Sequence, residues 1–252
     1  MACAVHSLGM NLILLQSDEV NDGVAILRDE RAVHIRKVLK ASQGKELRIG
    51  LLNGPLGTGR VQRVDATLVE LSCTFDEMVP PRPCIDLLLA MPRPKVLKRM
   101  WAQLAALGVG KIVLVRAEKV ERYYFDSHVI ESEFFNKKFI EGLQQARCTH
   151  LPKVQVEPLF KPFIEDRLEK EFSGHLKLLS DPSGECRIGR LEVPKKNERV
   201  LLAIGPEGGW TPYELEMLKE RGFNLVSMGS RILRTDTATI ALLSILSESI
   251  PS

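Results

Sequence analysis

The sequence has no apolar run of the roughly 18 to 20 residues that a membrane-spanning helix requires. Its first ten residues, MACAVHSLGM, carry neither a basic segment nor a long apolar core of the secretory type. A soluble, unexported protein is therefore expected, in the cytoplasm or an organelle matrix. Cysteine is scarce and scattered. Cys3, Cys73, Cys84, Cys148 and Cys186 are odd in number and form no CxxC pair, which supports neither a disulfide framework nor a zinc site. Reduced thiols and no metal are expected. Internal repeats and low-complexity tracts are absent, and so is the G-x-x-x-x-G-K-[ST] lysine, which weakens any reading as a nucleotide-phosphate binder. A net charge of +3 is too small to identify a nucleic-acid partner by itself.

What is present is an ordinary globular composition. With 252 residues, 44% hydrophobic and 27% charged, the chain can bury a core as one large domain or two unequal ones. The charge is unevenly placed: from Arg28 to Arg63 nine Lys and Arg stand against three acids. Such a patch favours phosphate backbones, a solvated face being the alternative.

Residues 1–78 read as short strands around one helix. NLILL precedes a helix in ERAVHIRKVLKA, on which Val33, Ile35, Val38 and Leu39 are expected to share one side. KELRIGLLN, GRVQRV and ATLVELSCTF follow as strands, with NGPLGTG as a glycine-rich turn, the pattern of a small β-barrel or meander. The prolines of MVPPRP, residues 78–83, lack ladder donors and mark a boundary between domains 1–78 and 79–252. Beyond it the strands CIDLLLAMP, KIVLVRA, KVQVEPL, HLKLLSD, RVLLAIG and NLVSMG are separated by helices, among them KVLKRMWAQLAAL, residues 127–147, and TATIALLSILSES. Strands apolar throughout imply a parallel sheet covered on both faces.

Two stretches carry the chemistry. In LLAIGPEGGWTPYELEMLKERG, residues 201–222, Thr211 and Glu214 form a T-x-x-E capping box, Pro212 suits the first helical position and Gly222 closes the helix. Gly208 and Gly209 lie just ahead of that helix N-terminus, where free N–H groups favour polar acceptors. GPEGG is either a tight strand-to-helix connection or a loop stripped of side chains so that a ligand can lie on the backbone. In MGSRILRTDTAT, residues 228–239, Thr235 or Asp236 would cap the last helix, while Arg231 and Arg234 beside a glycine turn suit phosphate or a developing anion.

IGPEGG followed by MGSRILRTDTATIALL resembles the signature of the RsmE family of SPOUT-class methyltransferases, and HIRKVLKASQGKELRIG resembles that family's N-terminal PUA-like barrel. The likeness extends from Met10 onward, MNLILL being the expected beginning. It implies an α/β fold, a SPOUT-type parallel sheet with a C-terminal trefoil knot, preceded by a small PUA-like β-barrel that grips RNA. It implies S-adenosyl-L-methionine as cofactor, N3 of a uridine in small-subunit ribosomal RNA as target, and a homodimer. The loops 205–209 and 228–234 would then hold the cofactor, through Leu202, Ile204, Gly205, Pro206, Gly208, Gly209, Met228, Gly229, Ser230, Ile232, Leu233 and Thr237. Arg231 and Arg234 would divide phosphate anchoring and carbonyl stabilisation, with Glu207 or Asp236 as the base. His34, Arg36, Lys37 and Lys40 in the first domain, and Arg93, Lys95, Lys98, Arg99 and Arg147 beyond it, are candidate RNA contacts. The chain departs from the family at Gln103, Ala106, Arg147 and Asp236, which leaves open another RNA or another atom. A non-catalytic ribosome-assembly protein is the alternative of a different class.

Overall fold

The computed structural model describes residues 12–191 and 198–250. The expected beginning at Met10 lies outside the described residues. The chain divides into two compact units, one of residues 1–81 with 143–151 and the other of 82–142 with 152–252.

The first unit is built on one six-stranded sheet of order β1-β4-β5-β6-β3-β2. Its strands are β1 (Ile13–Leu15), β2 (Val20–Asn21), β3 (Val24–Leu27), β4 (Glu46–Leu51), β5 (Leu56–Val64) and β6 (Val69–Phe75). β1 lies parallel to β4 and the other neighbours are antiparallel. The pairing runs from β1 at one edge to β2 at the other without closing among the described residues, so the sheet forms a half-barrel where a small barrel was expected. The β2–β3 hairpin, absent from the sequence expectation, turns at Asp22 and Gly23, both with positive φ (49° and 76°). That pair of left-handed residues suits the right-handed twist of the flanking strands. NGPLGTG is not all turn, because β5 already starts at Leu56. Gly57 and Gly59 are strand residues there; a Cβ on Gly57 would stand 2.3 Å from the Thr74 carbonyl oxygen, and one on Gly59 2.8 Å from Ile49.

Helix α1 (Glu30–Lys37) covers this sheet with Ala32 and Ile35, whereas Val33 and Val38 face solvent, contrary to the expected stripe. The helix ends at Lys37, which removes Val38 from its periodicity. Its start is fixed by Asp29, whose side chain accepts from Arg31 N–H at 2.9 Å. The Arg31 guanidinium in turn binds Glu19 and the Leu14 carbonyl, the latter at 2.8 Å. Ile13, Leu15, Leu27, Ile35, Ile49 and Leu71 form the core. Each such side chain contributes about 1.5–3 kcal/mol when removed from water.

The second unit is a seven-stranded parallel sheet of order β11-β13-β10-β12-β7-β8-β9. The strands are β7 (Ile85–Ala90), β8 (Val109–Val115), β9 (Lys153–Glu157), β10 (Leu176–Ser180), β11 (Cys186–Arg187), β12 (Val200–Ile204) and β13 (Asn224–Ser227). β7 and β12 are buried at every residue, as central strands covered on both faces must be. Asp86 on β7 is the exception in kind. Both its oxygens bind Arg199 Nη2 at 2.8 Å and one meets His175 Nε2 at 3.0 Å. Gly110 leaves room for this cluster, since a Cβ there would stand 3.0 Å from Asp86 Oδ1.

Helices α2 (Pro94–Ala106) and α3 (Ser132–Ala146) pack through Trp101, whose ring meets Phe139 edge-on at 5.3 Å. Leu97, Met100, Trp101 and Leu104 recur at helical spacing on the buried side of α2. The α2–α3 approach is tight at Gly142, where a Cβ would lie 2.0 Å from the Ala102 carbonyl oxygen. The start expected at residue 127 is taken by 3₁₀ turns, Arg122–Asp126 and His128–Ile130, before α3 begins. Short helices α4 (Phe160–Pro162) and α5 (Leu168–Phe172) flank a π turn, Phe163–Arg167. Helices α6 (Pro212–Glu220) and α7 (Thr235–Ser249) follow β12 and β13.

Candidate cofactor and catalytic site

Because the strands are parallel, the carboxyl ends of β10, β12 and β13 emerge on the same side of the sheet. The loops that leave them border a cleft of about 140 Å³. Open α/β sheets bind ligands at such strand ends. Ile204, Gly205, Pro206, Glu207 and Gly209 line it from the β12 loop. Met228, Gly229, Arg231, Ile232 and Leu233 line it from the β13 loop, and Asp181 and Trp210 are among the other lining residues. Most of the expected cofactor residues thus meet around one cavity. Gly208, Ser230 and Thr237 are exposed outside its lining, and Leu202 is wholly buried in the middle of β12.

The glycines of IGPEGG have distinct reasons. A Cβ on Gly205 would strike the Trp210 indole at 2.9 Å, and one on Gly208 would meet Lys119 Cδ at 3.0 Å. Gly209 has open space and a positive φ of 70°, with its N–H donating to the Pro206 carbonyl at 2.9 Å. Only at Gly209 is the backbone bare toward open space. Trp210 is buried against Gly205, and its Nε1 has no hydrogen-bond partner among the described residues.

Helix α6 starts as its sequence specifies. Thr211 caps it, with its hydroxyl accepting from Glu214 N–H at 3.3 Å while Glu214 Oε2 accepts from Thr211 N–H at 2.8 Å. Glu214 does more than close the box. It is buried, and its other oxygen accepts from the backbone N–H of Glu118 at 2.7 Å. Beside it Lys119 Nζ donates to the Gly208 carbonyl at 2.8 Å, so the loop after β8 braces both the glycine loop and the first turn of α6. These contacts join residues 96 and 89 positions apart and leave no local signal in the sequence.

Helix α7 departs from expectation at its start. Neither Thr235 nor Asp236 caps it: Arg234 occupies the cap position without a side-chain bond, and the helix begins one residue later. Asp236 lies in the first turn, where Oδ1 accepts from Thr237 N–H at 2.9 Å and Oδ2 pairs with Arg99 at 3.0 Å. A carboxylate there opposes the helix dipole favourably. Glu207, by contrast, faces the cleft with one distant contact, the Arg93 backbone N–H at 3.4 Å. Arg231 and Arg234 are exposed, and neither has an ion-pair partner among the described residues. Arg231 lines the cleft and Arg234 does not.

The other candidate cations differ in freedom. In the second unit Arg93 and Lys95 are exposed, Lys98 lies 5.7 Å from the Phe134 ring centroid, and Arg99 is tied to Asp236. In the first unit Lys37 and Lys40 are exposed and His34 is half-buried. Arg36 is occupied structurally, its guanidinium donating to the carbonyls of Asp65, at 3.0 Å, and Ala66. Arg147 is exposed and left-handed (φ 56°) just past α3, where Cys148 N–H returns to the Leu143 carbonyl at 3.1 Å. That is the glycine position of a helix C-terminal motif, held here by an arginine. Among the described residues no cluster of His, Cys, Asp or Glu could hold a metal ion, and no helix is long and apolar enough to cross a membrane.

Residues 80–247 match the model of an RNA methyltransferase domain. The ribosomal RNA small subunit methyltransferase E of Treponema pallidum is 34% identical over 240 residues, covering 92% of this chain and 88% of that protein. The ribosomal RNA small subunit methyltransferase E 1 of Borreliella burgdorferi is 28% identical over 232 residues, covering 92% and 95%. The crystal structure of a ribosomal RNA small subunit methyltransferase E from Neisseria gonorrhoeae, bound to S-adenosyl methionine, has the same fold, with a TM-score of 0.76, 22% identity and coverage of 95% and 98%.

Proposed function

The chain belongs to the RNA methyltransferase family, and from that premise we propose that it transfers a methyl group from S-adenosylmethionine to small-subunit ribosomal RNA, at N3 of a uridine. The observation that carries this reading is the cleft at the strand ends, lined by Arg231 from the β13 loop and by Glu207 from the β12 loop, neither of them in an ion pair among the described residues. The relatives named for small-subunit ribosomal RNA methylation support the substrate, and the S-adenosyl methionine bound by the Neisseria protein supports the cofactor.

The cleft fits such a cofactor on its own terms. Ile204, Met228 and Leu233 offer apolar surface to a base, and the bare backbone at Gly209 lets its edge approach the loop closely. Asp181 and Glu207 supply negative charge for a sulfonium and an amine. Bound there, S-adenosylmethionine supplies an electrophilic methyl. The remaining work falls to the protein. Uridine N3 carries a proton at neutral pH, and its anion spreads charge onto the two flanking carbonyl oxygens. Glu207 accepts the N3 proton: of the two carboxylates on the cleft, Asp181 already accepts from the Ser183 N–H and hydroxyl, while Asp236 is engaged by Arg99 and its own helix. Arg231 stabilises the charge that grows on a carbonyl oxygen, and Arg234, outside the cleft, anchors a phosphate. Positioning contributes more than proton transfer, up to about 7–11 kcal/mol where reacting groups are well aligned.

In this reading the chain of the second unit carries the trefoil knot of SPOUT proteins and pairs as a homodimer, the first unit grips the RNA backbone through Lys37 at the end of α1 and Lys40 just beyond it, and the protein works in the cytoplasm where ribosomes assemble. Methyl transfer from labelled S-adenosylmethionine to purified small subunits, large subunits and transfer RNA tests the substrate class. Label confined to small-subunit RNA is expected; label in another RNA alone would overturn the assignment.

A further inference from the structure

The loop that follows β8 carries an aromatic side chain that the chemistry above leaves unused. Glu118 and Lys119 fasten this loop to Glu214 and to the Gly208 carbonyl. Four residues on, the 3₁₀ turn Arg122–Asp126 presents Tyr123 and Tyr124, whose rings meet at 84° with centroids 4.9 Å apart. Tyr123 is 63% exposed, the most open aromatic side chain among the described residues. Its footing is firm, since Val120 before it and Val129 after it are buried and the Val129 carbonyl accepts from Trp101 Nε1 at 2.8 Å. Arg93 lies within electrostatic reach of the Tyr123 hydroxyl, and the same residue's N–H meets Glu207 on the cleft wall. Arg122, the adjacent residue, is exposed.

A large ring held open on a rigid turn, flanked by Arg93 and Arg122 and tied to the glycine loop, is the arrangement that unstacked nucleobases use in single-stranded RNA recognition. We propose that Tyr123 stacks on a nucleobase of the RNA substrate beside the cofactor cleft, with Tyr124 holding the ring in place. The inference rests on reading the cleft as the site of RNA methylation. It assigns to the loop after β8 a substrate role that a bare tether would not have, because a tether needs Glu118 and Lys119 and no exposed ring.

The test compares wild type, Tyr123→Ala and Tyr123→Phe on small subunits lacking their native methylation. Tyr123→Ala should lower kcat/KM for the subunit by about 5- to 100-fold, with S-adenosylmethionine affinity by calorimetry and Tm unchanged. Tyr123→Phe, which keeps the ring and loses the hydroxyl, should retain wild-type activity. An alanine variant within twofold of wild type, a phenylalanine variant as impaired as alanine, or a parallel loss of cofactor affinity would each overturn the proposal. A wild type that methylates no small-subunit RNA would overturn the functional reading itself, and the stacking role with it, a result visible before any variant is measured.

Discussion

Arg231 and Arg234 stand three residues apart, yet only Arg231 is on the cleft wall. A charge-assisted hydrogen bond contributes about 1.5–3 kcal/mol, so Arg231→Ala is expected to lower kcat/KM by roughly one to two decades, while Arg234→Ala raises KM for RNA and leaves single-turnover chemistry near wild type. A rate for Arg231→Ala within threefold of wild type would remove it from the mechanism. Glu207→Gln and Asp236→Asn separate the two carboxylates in the same way: the first should lose the chemical step near neutral pH and recover as the medium itself ionises N3, and the second should keep its pH profile. Away from the site, hydrogen bonds from Arg31 hold Glu19 below the usual carboxylate value despite partial burial. A lowered native value stabilises the fold above about pH 4.5, the ordinary glutamate value, and that stabilisation is lost as pH falls through the native one. Arg31→Ala should therefore move acid unfolding to higher pH, a shift that circular dichroism would register; an unchanged midpoint would contradict the pairing. At this scale the two stretches that border the cleft were legible from the sequence, because each sets a glycine turn directly after an apolar strand. Lys119, Trp210 and the second role of Glu214 were not, since each acts on a residue that only the fold brings near.

Helix α6 shows how far local chemistry reaches. Thr211, Pro212 and Glu214 specify its start, and the start observed is the one they specify. Thr211→Ala should cost about 1 kcal/mol for the lost cap. Glu214→Ala should cost more, because the Glu118 N–H is then left without its acceptor, and it should weaken S-adenosylmethionine binding as the first turn of α6, next to the glycine loop, loses its brace. Calorimetric affinities equal to wild type would show that the brace has no part in the site. Helix α1 illustrates the opposite case: its apolar residues suggested one face, but the helix stops at Lys37 and buries Ala32 and Ile35 instead. The β2–β3 hairpin is written locally, in the Asp22-Gly23 pair and in VAIL after it. Where α2 meets α3, Gly142 is required by the Ala102 carbonyl. Gly142→Ala should destabilise by about 1–3 kcal/mol through overpacking, lowering Tm by roughly 2 to 10 °C. An unchanged Tm would mean that the helices separate at little cost.

For the whole molecule, hydrophobic pattern conveyed the alternation of strands and helices and hence a parallel sheet, but not its order. β12 lies between β10 and β7, an arrangement that no periodicity encodes, and it is this order that brings the loops after β10, β12 and β13 to one cleft. The first unit also draws on residues 143–151, where Thr149 donates to the Gly54 carbonyl at 2.7 Å and His150 meets the Pro80 carbonyl at 2.6 Å. Cutting the chain after residue 78 would therefore strip partners from a later segment, and charge substitutions are the cleaner probe of RNA gripping. Lys37→Ala with Lys40→Ala should weaken binding evenly across RNA sequences and reduce the salt slope by about 0.7–0.9 for each phosphate that is no longer neutralised. A slope equal to wild type would place the RNA elsewhere.

The central claim is that the cleft between the β12 and β13 loops methylates N3 of a small-subunit uridine. Small subunits lacking native modifications, incubated with the protein and S-adenosylmethionine and digested to nucleosides, should yield N3-methyluridine by mass spectrometry, strongly reduced with Arg231→Ala. A different methylated nucleoside, or an equal yield from the variant, would contradict it.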